Sequence, residues 1–191
     1  MRAFARMALA GAALCLMLGG VAAQELKVGD KAPAFEGTDD TGKPWKSTEH
    51  VGKKVIVVYF YPADFTGGCT KQACGFRDDF AKLTGKDVEV IGVSGDSAKT
   101  HALFKKDHKL PFTLLADEDG AIAKKFGVPV KVGAAKAKVK IDGKETEVER
   151  GATIQRWTIV IDKEGKVVNV NSKVNAAEDS KGILGVVEKL K

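Results

Sequence analysis

Val55-Ile-Val-Val-Tyr-Phe-Tyr61-Pro62-Ala-Asp-Phe-Thr66-Gly-Gly-Cys69-Thr-Lys-Gln-Ala-Cys74 is the stretch on which the reading of this chain turns. Its first seven residues are β-branched or aromatic without a polar interruption. Such a run predicts a strand buried on both faces, as in a sheet with layers on either side. Pro62 to Gly68 predicts a loop. From Cys69 to Leu83 the apolar positions Ala73, Phe76, Phe80 and Leu83 recur at helical spacing. Strand, tight loop and helix therefore follow one another, with Cys69 at or just inside the first helical turn. Backbone N–H groups are unpaired there and the helix dipole is positive, which favours a thiolate over a thiol. Thr66 stands where a cap or a hydroxyl partner of the sulfur would stand. Gly67 and Gly68 let the backbone approach a small ligand closely.

The same alternation continues outward. Val88–Ser94 and Phe112–Ala116 predict strands, Ala98–His108 a helix, and Gly120–Phe126 a short helix stopped by Gly127. Thr158–Asp162 and Val167–Asn171 predict a strand pair joined by Lys163-Glu164-Gly165, and Glu178–Leu190 a closing helix. Before the central strand, Ala34–Gly37 and Lys43–Lys46 flank the turn Asp39-Asp40-Thr41-Gly42, which reads as an N-terminal hairpin. The lysine-rich segment Lys131–Arg150 alternates Val139, Ile141 and Val148 around Asp142-Gly143 and reads as an extra surface hairpin, a charged loop being the alternative. The order implies an α/β fold, a central mixed β-sheet flanked by helices, and resembles a thioredoxin-like layout.

With 191 residues and 44% hydrophobic residues, the chain suffices for one domain with a proper core. Charged residues make up 29%, with both signs mixed along the chain, as in a soluble globular protein. Arg2 and Arg6, the apolar run Met7–Leu18 and the small residues Val21-Ala22-Ala23 predict a cleaved signal peptide over 1–23 and a single domain over 24–191. The apolar run is too short for a membrane anchor, so no membrane association is expected after cleavage. Leu14 before Cys15 argues against a lipoprotein, and Cys15 is expected to be discarded. The destination is exported, most simply the periplasm. Removing two arginines lowers the formal charge from +6, and no basic stripe with interleaved aromatics remains, so no nucleic-acid partner is expected.

Two cysteines, Cys69 and Cys74, then remain. In an exported protein two cysteines suggest one disulfide, either structural or redox-active. Five residues on an intact helix amount to a rotation of roughly 500°, about 140° net, and a rise of about 7.5 Å. A disulfide needs Cα atoms roughly 4.4–6.8 Å apart, so a regular helix cannot hold this bridge. The apolar spacing supports the helix, which favours a segment that unwinds on oxidation over a static bridge.

The motif Pro62-x-x-x-Thr66-x-x-Cys69 and the run Gly68-Cys-Thr-Lys-Gln-Ala-Cys74-Gly-Phe-Arg-Asp78 resemble the peroxiredoxins (AhpC/TSA-like, thioredoxin fold), and within them the peroxiredoxin Q or bacterioferritin-comigratory branch. The similarity continues through Leu110–Asp117 and Arg156–Asp162. It implies a thiol-dependent peroxidase acting on hydrogen peroxide and organic hydroperoxides. Cys69 would be the peroxidatic thiolate, Thr66 would position the peroxide, Pro62 would shield the pocket, and Arg156 would stabilise the thiolate and polarise the leaving oxygen. Gly68 would line the substrate site. Cys74 would resolve the sulfenic acid as an intramolecular Cys69–Cys74 disulfide. The resemblance further implies a thioredoxin-like or other dithiol reductant and no metal, haem or flavin. It also implies a chain that is often monomeric, a dimer being the alternative. The chain departs from the branch at Gly67, where many members carry proline, and in the length of Lys131–Arg150.

Other assignments compete. A thiol–disulfide oxidoreductase on the same fold usually carries Cys-x-x-Cys, which this chain lacks. A copper-binding thioredoxin-like protein would want a His or Met near the thiols, and none lies near in sequence. His50, His101 and His108 show no metal spacing and read as ordinary surface or core residues. Arg77 and Asp78 read as a solvated helix face, and Arg150 as a weaker candidate for the role given to Arg156.

Overall fold

The computed structural model describes residues 26–141 and 143–190; the expected signal peptide, Cys15 and Asp142 lie outside them. The elements run β1 Glu36–Asp39, β2 Pro44–Lys46, β3 Val55–Phe60, α1 Gly67–Asp78, α2 Phe80–Thr84, β4 Val88–Ser94, α3 Ala98–His108, β5 Thr113–Ala116, α4 Ala121–Lys125, β6 Val130–Ile141, β7 Lys144–Ile154, β8 Trp157–Ile161, β9 Val167–Asn171 and α5 Asp179–Val187. Seven strands form one sheet in the order β2-β1-β5-β4-β3-β8-β9. The pairs β3–β4 and β4–β5 are parallel, and β3–β8, β8–β9, β1–β5 and β1–β2 antiparallel. This is the expected mixed sheet.

Every residue of β3 is buried, and alternate residues go to opposite sides. Ile56, Val58 and Phe60 join Phe35, Trp45, Ile122 and Phe126 on the face covered by α4. Val55, Val57 and Tyr59 join Ala73, Phe76, Leu83, Phe104, Ile183 and Val187 on the face covered by α1, α2, α3 and α5. That double burial is why the run shows no alternation. Each such side chain contributes roughly 1.5–3 kcal/mol through removal of apolar surface from water. Asp39 closes the N-terminal hairpin, its Oδ1 accepting from Thr41 N, Thr41 Oγ1 and Lys43 N at 2.7–2.9 Å.

The helix expected over Cys69–Leu83 is two helices. The chain leaves helical geometry at Asp79 (φ −95°, ψ 4°). Asp79 uses its carboxylate to accept from Lys82 Nζ (2.7 Å) and Ser180 Oγ (2.9 Å), so the break is held by α2 and by the start of α5.

The lysine-rich segment is a hairpin, longer than expected, with a register shift between Val132 and Ala135. Its pairing puts Ala135, Ala137 and Val139 on one face with Thr146, Val148 and Arg150. The other face alternates Lys136, Lys138 and Lys140 against Glu145, Glu147 and Glu149. Lys136 reaches Glu147 (2.9 Å) and Glu149 (2.8 Å). The base of the hairpin is fixed to the end of β4: Gly151 N donates to Gly95 O at 2.8 Å and Ser97 N to Glu149 O at 3.2 Å. The backbones meet so closely that a Cβ on Gly95 would lie 2.2 Å from the Ala152 carbonyl oxygen.

Candidate active site

β3 delivers the chain to the edge of the core, and the turn Pro62–Phe65 redirects it into α1. Phe65 takes a left-handed conformation (φ 59°), which is costly for an aromatic residue. Its ring is held edge-on against Phe104, 5.1 Å between centroids. Thr66 occupies the N-cap of α1 with extended backbone; of the two roles the sequence offered, a cap or a hydroxyl partner of the sulfur, its hydroxyl does not take the cap. Its Oγ1 donates instead to Ala63 O at 3.0 Å, which leaves the oxygen lone pairs unused by that bond.

Cys69 is the third helical residue and is buried; Cys74, one turn and a half further on, is half-buried. Both are free thiols. Arg156, in the link between β7 and β8, donates from Nη2 to Cys69 Sγ at 3.2 Å. Gly68 makes room for it, since a Cβ there would stand 3.3 Å from that same nitrogen. A helix N-terminus and a guanidinium thus converge on one sulfur, an arrangement that matches negative charge placed there. Pro62 and Arg156 also line a groove of about 470 Å³ with Pro129, Val130, Lys131 and Ile154, so the base of the extra hairpin forms its far wall.

The structure therefore brings Pro62, Thr66, Gly68, Cys69 and Arg156 together, with Cys74 on the same helix. Arg150 is elsewhere, on β7 with its Nε donating to Thr153 Oγ1. Arg77 pairs with Asp78 at 2.9 Å on an exposed face, as expected, and also donates to the His108 carbonyl at 2.9 Å.

Two clusters escaped the sequence. In the first, Gln72 Oε1 accepts from Arg156 Nη1, and Gln72 Nε2 donates to Asp179 Oδ2 at 2.7 Å. Thr158 Oγ1 donates to the same Asp179 oxygen at 2.7 Å. Burial pushes the Asp179 carboxyl above the usual range, and the bonds from Thr158 and Gln72 oppose that. Gln72 was within reach of sequence reasoning, because i+3 from Cys69 is the same helix face. Asp179, 107 residues from Gln72, carried no local signal.

The second cluster lies under the loop. His101, with no exposed surface, places Nδ1 2.8 Å from Asp64 Oδ2 and Nε2 3.1 Å from the Leu115 carbonyl. Both ring nitrogens face oxygens that can accept, an environment that suits the doubly protonated ring. Burial alone would lower the His101 pKa, but the carboxylates of Asp64 and Asp96 outweigh it and raise it. Asp64 also accepts from Tyr61 Oη (2.7 Å), and its own N–H donates to Asp96 Oδ2 (2.9 Å). Asp96 is pushed up to about 6, first by burial and then by Asp64. This cluster is what holds the turn ahead of Thr66.

A cysteine in the first turn of a helix, met by an arginine on a thioredoxin-like sheet, defines a cysteine-based oxidoreductase of the thioredoxin-fold class. Comparison with known proteins narrows the class. Residues 28–170 match the AhpC/TSA family. A putative peroxiredoxin bcp of Coxiella burnetii is 42% identical over 78% of this chain and 90% of its own length. Peroxiredoxin Q of Sedum lineare chloroplasts is 52% identical over 53% of this chain, and that match spans about half of the relative (54%). Among solved structures, peroxidoxin BcpB of Mycobacterium tuberculosis superposes with a TM-score of 0.72 at 30% identity, covering 87% of this chain and 99% of its own. Peroxiredoxin Q of Xanthomonas campestris gives 0.65 at 27%, over 81% and 89%. The chain belongs to the AhpC/TSA family, in its peroxiredoxin Q and bcp branch, and is a thiol-dependent peroxidase.

Proposed function

We propose that Cys69 reduces hydrogen peroxide and organic hydroperoxides and that Cys74 resolves the product within the same chain. The observation that carries this reading is the 3.2 Å contact from Arg156 Nη2 to Cys69 Sγ in the first turn of α1. The Cys69 thiolate attacks the terminal peroxide oxygen, the O–O bond breaks, and the alcohol or water leaves with a proton. Sulfur is oxidised by two electrons to a sulfenic acid and the peroxide is reduced. Arg156 faces both the attacking sulfur and the charge that develops on the leaving oxygen. Thr66 offers its free lone pairs to the peroxide hydrogen, Gly68 keeps the approach open, and Pro62 covers the site from water.

The Cys74 thiolate then attacks the Cys69 sulfur, a disulfide forms, and water leaves. Residues 69–74 must leave helical geometry for that bond. A dithiol reductant of the thioredoxin-like kind reverses it by exchange. The reading extends to an exported, periplasmic protein, supported by Arg2, Arg6 and the apolar run behind them, and to a monomer as the working unit.

The deciding experiment is a peroxide titration of the reduced protein with thiols counted before and after. One equivalent of peroxide should consume both thiols rapidly and leave a Cys69–Cys74 bridge in the peptide map. Thiols that react no faster than free cysteine would end this assignment.

A further inference from the structure

We infer that Asp179 is a positioning residue that works through Gln72 at both stages of the cycle: it holds Arg156 over Cys69, and it latches α1 against the unwinding that resolution requires. The inference rests on the reading of Cys74 as the resolving cysteine. Gln72 lies between the two cysteines, and its amide is used at both ends: Oε1 takes Arg156 Nη1, and Nε2 gives to Asp179 Oδ2. An amide held from one side only would be free to turn over and present nitrogen to the guanidinium. The Asp179 carboxylate, which can only accept, fixes the orientation. Its own position is fixed by Thr158 Oγ1 from β8, the strand that begins next to Arg156.

The latch follows from the same bonds. Gln72 is buried at 1% exposure and Asp179 at 5%, so their hydrogen bond is screened from water. For Cys74 to reach Cys69, the turn carrying Gln72 must open and this bond must break. The sulfenic acid on Cys69 has two fates. Attack by Cys74 gives the disulfide and water. Attack by the sulfenate sulfur on a second hydroperoxide breaks another O–O bond and gives the sulfinic acid and an alcohol. The second fate needs the folded site, with Arg156 still in place. A tighter latch therefore favours sulfinic acid, and a looser one favours the disulfide.

The full chain is tested as wild type, Asp179→Ala, Asp179→Asn and Ser180→Ala. The step after sulfenic acid formation is followed by Trp157 fluorescence, and the fraction of Cys69 sulfinic acid at rising hydrogen peroxide by mass spectrometry. Asp179→Ala should accelerate disulfide formation roughly tenfold, as expected for loss of a buried bond to a charged group, and shift sulfinic acid formation to higher peroxide. It should also slow the first attack, because Arg156 loses its fixed partner. Asp179→Asn keeps an oxygen for both donors and should restore the partition. Ser180→Ala removes the neighbouring bond to Asp79 (2.9 Å) without reaching Gln72, and controls for simple loosening of α5.

Asp179→Ala that matches Ser180→Ala in partition overturns the latch while leaving the resolving role of Cys74 intact. Absence of a Cys69–Cys74 disulfide in the oxidised wild type overturns both. If Asp179→Ala does not fold, Gln72→Met breaks the same bond from the other end, and unchanged resolution in that variant is equally fatal.

Discussion

Arg156 donates to the sulfur of Cys69 across 87 residues of sequence, and the 3.2 Å contact is made where the chain has just left β7 and is about to enter β8. It sets a guanidinium and a helix N-terminus against one sulfur, and the proposed first step is built on that meeting.

Replacing Arg156 by methionine keeps the apolar stem and removes the charge. The expected loss in kcat/KM is about 10²–10³, the range for deleting one preorganised donor to a developing negative charge. Steady-state kinetics with hydrogen peroxide check it, with Cys69→Ser as the inactive reference. A loss below threefold would mean that the contact does not act in the first step.

Cys74→Ser should still consume one equivalent of peroxide but should stop there. The sulfenic acid on Cys69 then persists and is trapped by a dimedone-type probe, while no internal disulfide forms. Mass spectrometry after a single peroxide pulse distinguishes this from normal recycling.

His101 gives the fold a pH dependence of known sign. Its folded pKa is raised from 6.5, so the folded chain binds this proton more tightly than the unfolded one. The stabilisation is complete below 6.5 and is lost as pH rises through the folded value. Asp96, raised to about 6, acts in the same direction but is spent by that pH. The difference in Tm between wild type and His101→Gln should therefore narrow from about pH 6.5 upward. A gap that stays constant or widens would show a neutral imidazole in the folded state.

Shortening the hairpin so that Ala137 and Val148 are joined by a tight turn removes exposed Lys–Glu pairs. Such pairs contribute little in water. The variant should fold with a nearly unchanged Tm and keep peroxidase activity, because the bonds from Gly151 N to Gly95 O and from Ser97 N to Glu149 O remain. Thermal melts and peroxide turnover test this together.

Gly95→Ala should be far more damaging than its size suggests. The added methyl would press on the Ala152 carbonyl, a backbone atom that cannot rotate away. A loss of about 1–3 kcal/mol, typical of overpacking, is expected in denaturant melts.

The legible parts of the fold were those where local pattern and tertiary role agree. β3 could be read because burial on both faces requires an uninterrupted apolar run, and β4 and α3 were found over the same residues that the structure gives them. The break at Asp79 was hidden, because apolar spacing runs straight across it and one of the two bonds that hold it comes from Ser180, 101 residues away. Thr66 was found but its bond was not, because an N-cap and an open hydroxyl use the same residue type at the same position. His101 looked ordinary because Asp64 and Asp96 reach it only after β3, β4 and α3 are packed.

Local pattern alone carries the layout of the candidate site: a thiol after a buried strand, glycines beside it, and a second thiol at a spacing that an intact helix cannot bridge. These are short-range facts, fixed by residue type and by backbone geometry over a few residues. Packing adds what local pattern does not carry: the contact of Arg156 with Cys69, which only the family resemblance implied, the Gln72–Asp179 pair behind it, and the buried His101–Asp64 contact under the turn ahead of Thr66. Those contacts join residues tens to more than a hundred positions apart. They form when the two faces of the sheet are covered, because burial leaves each polar group with the choice of a partner or a desolvation penalty.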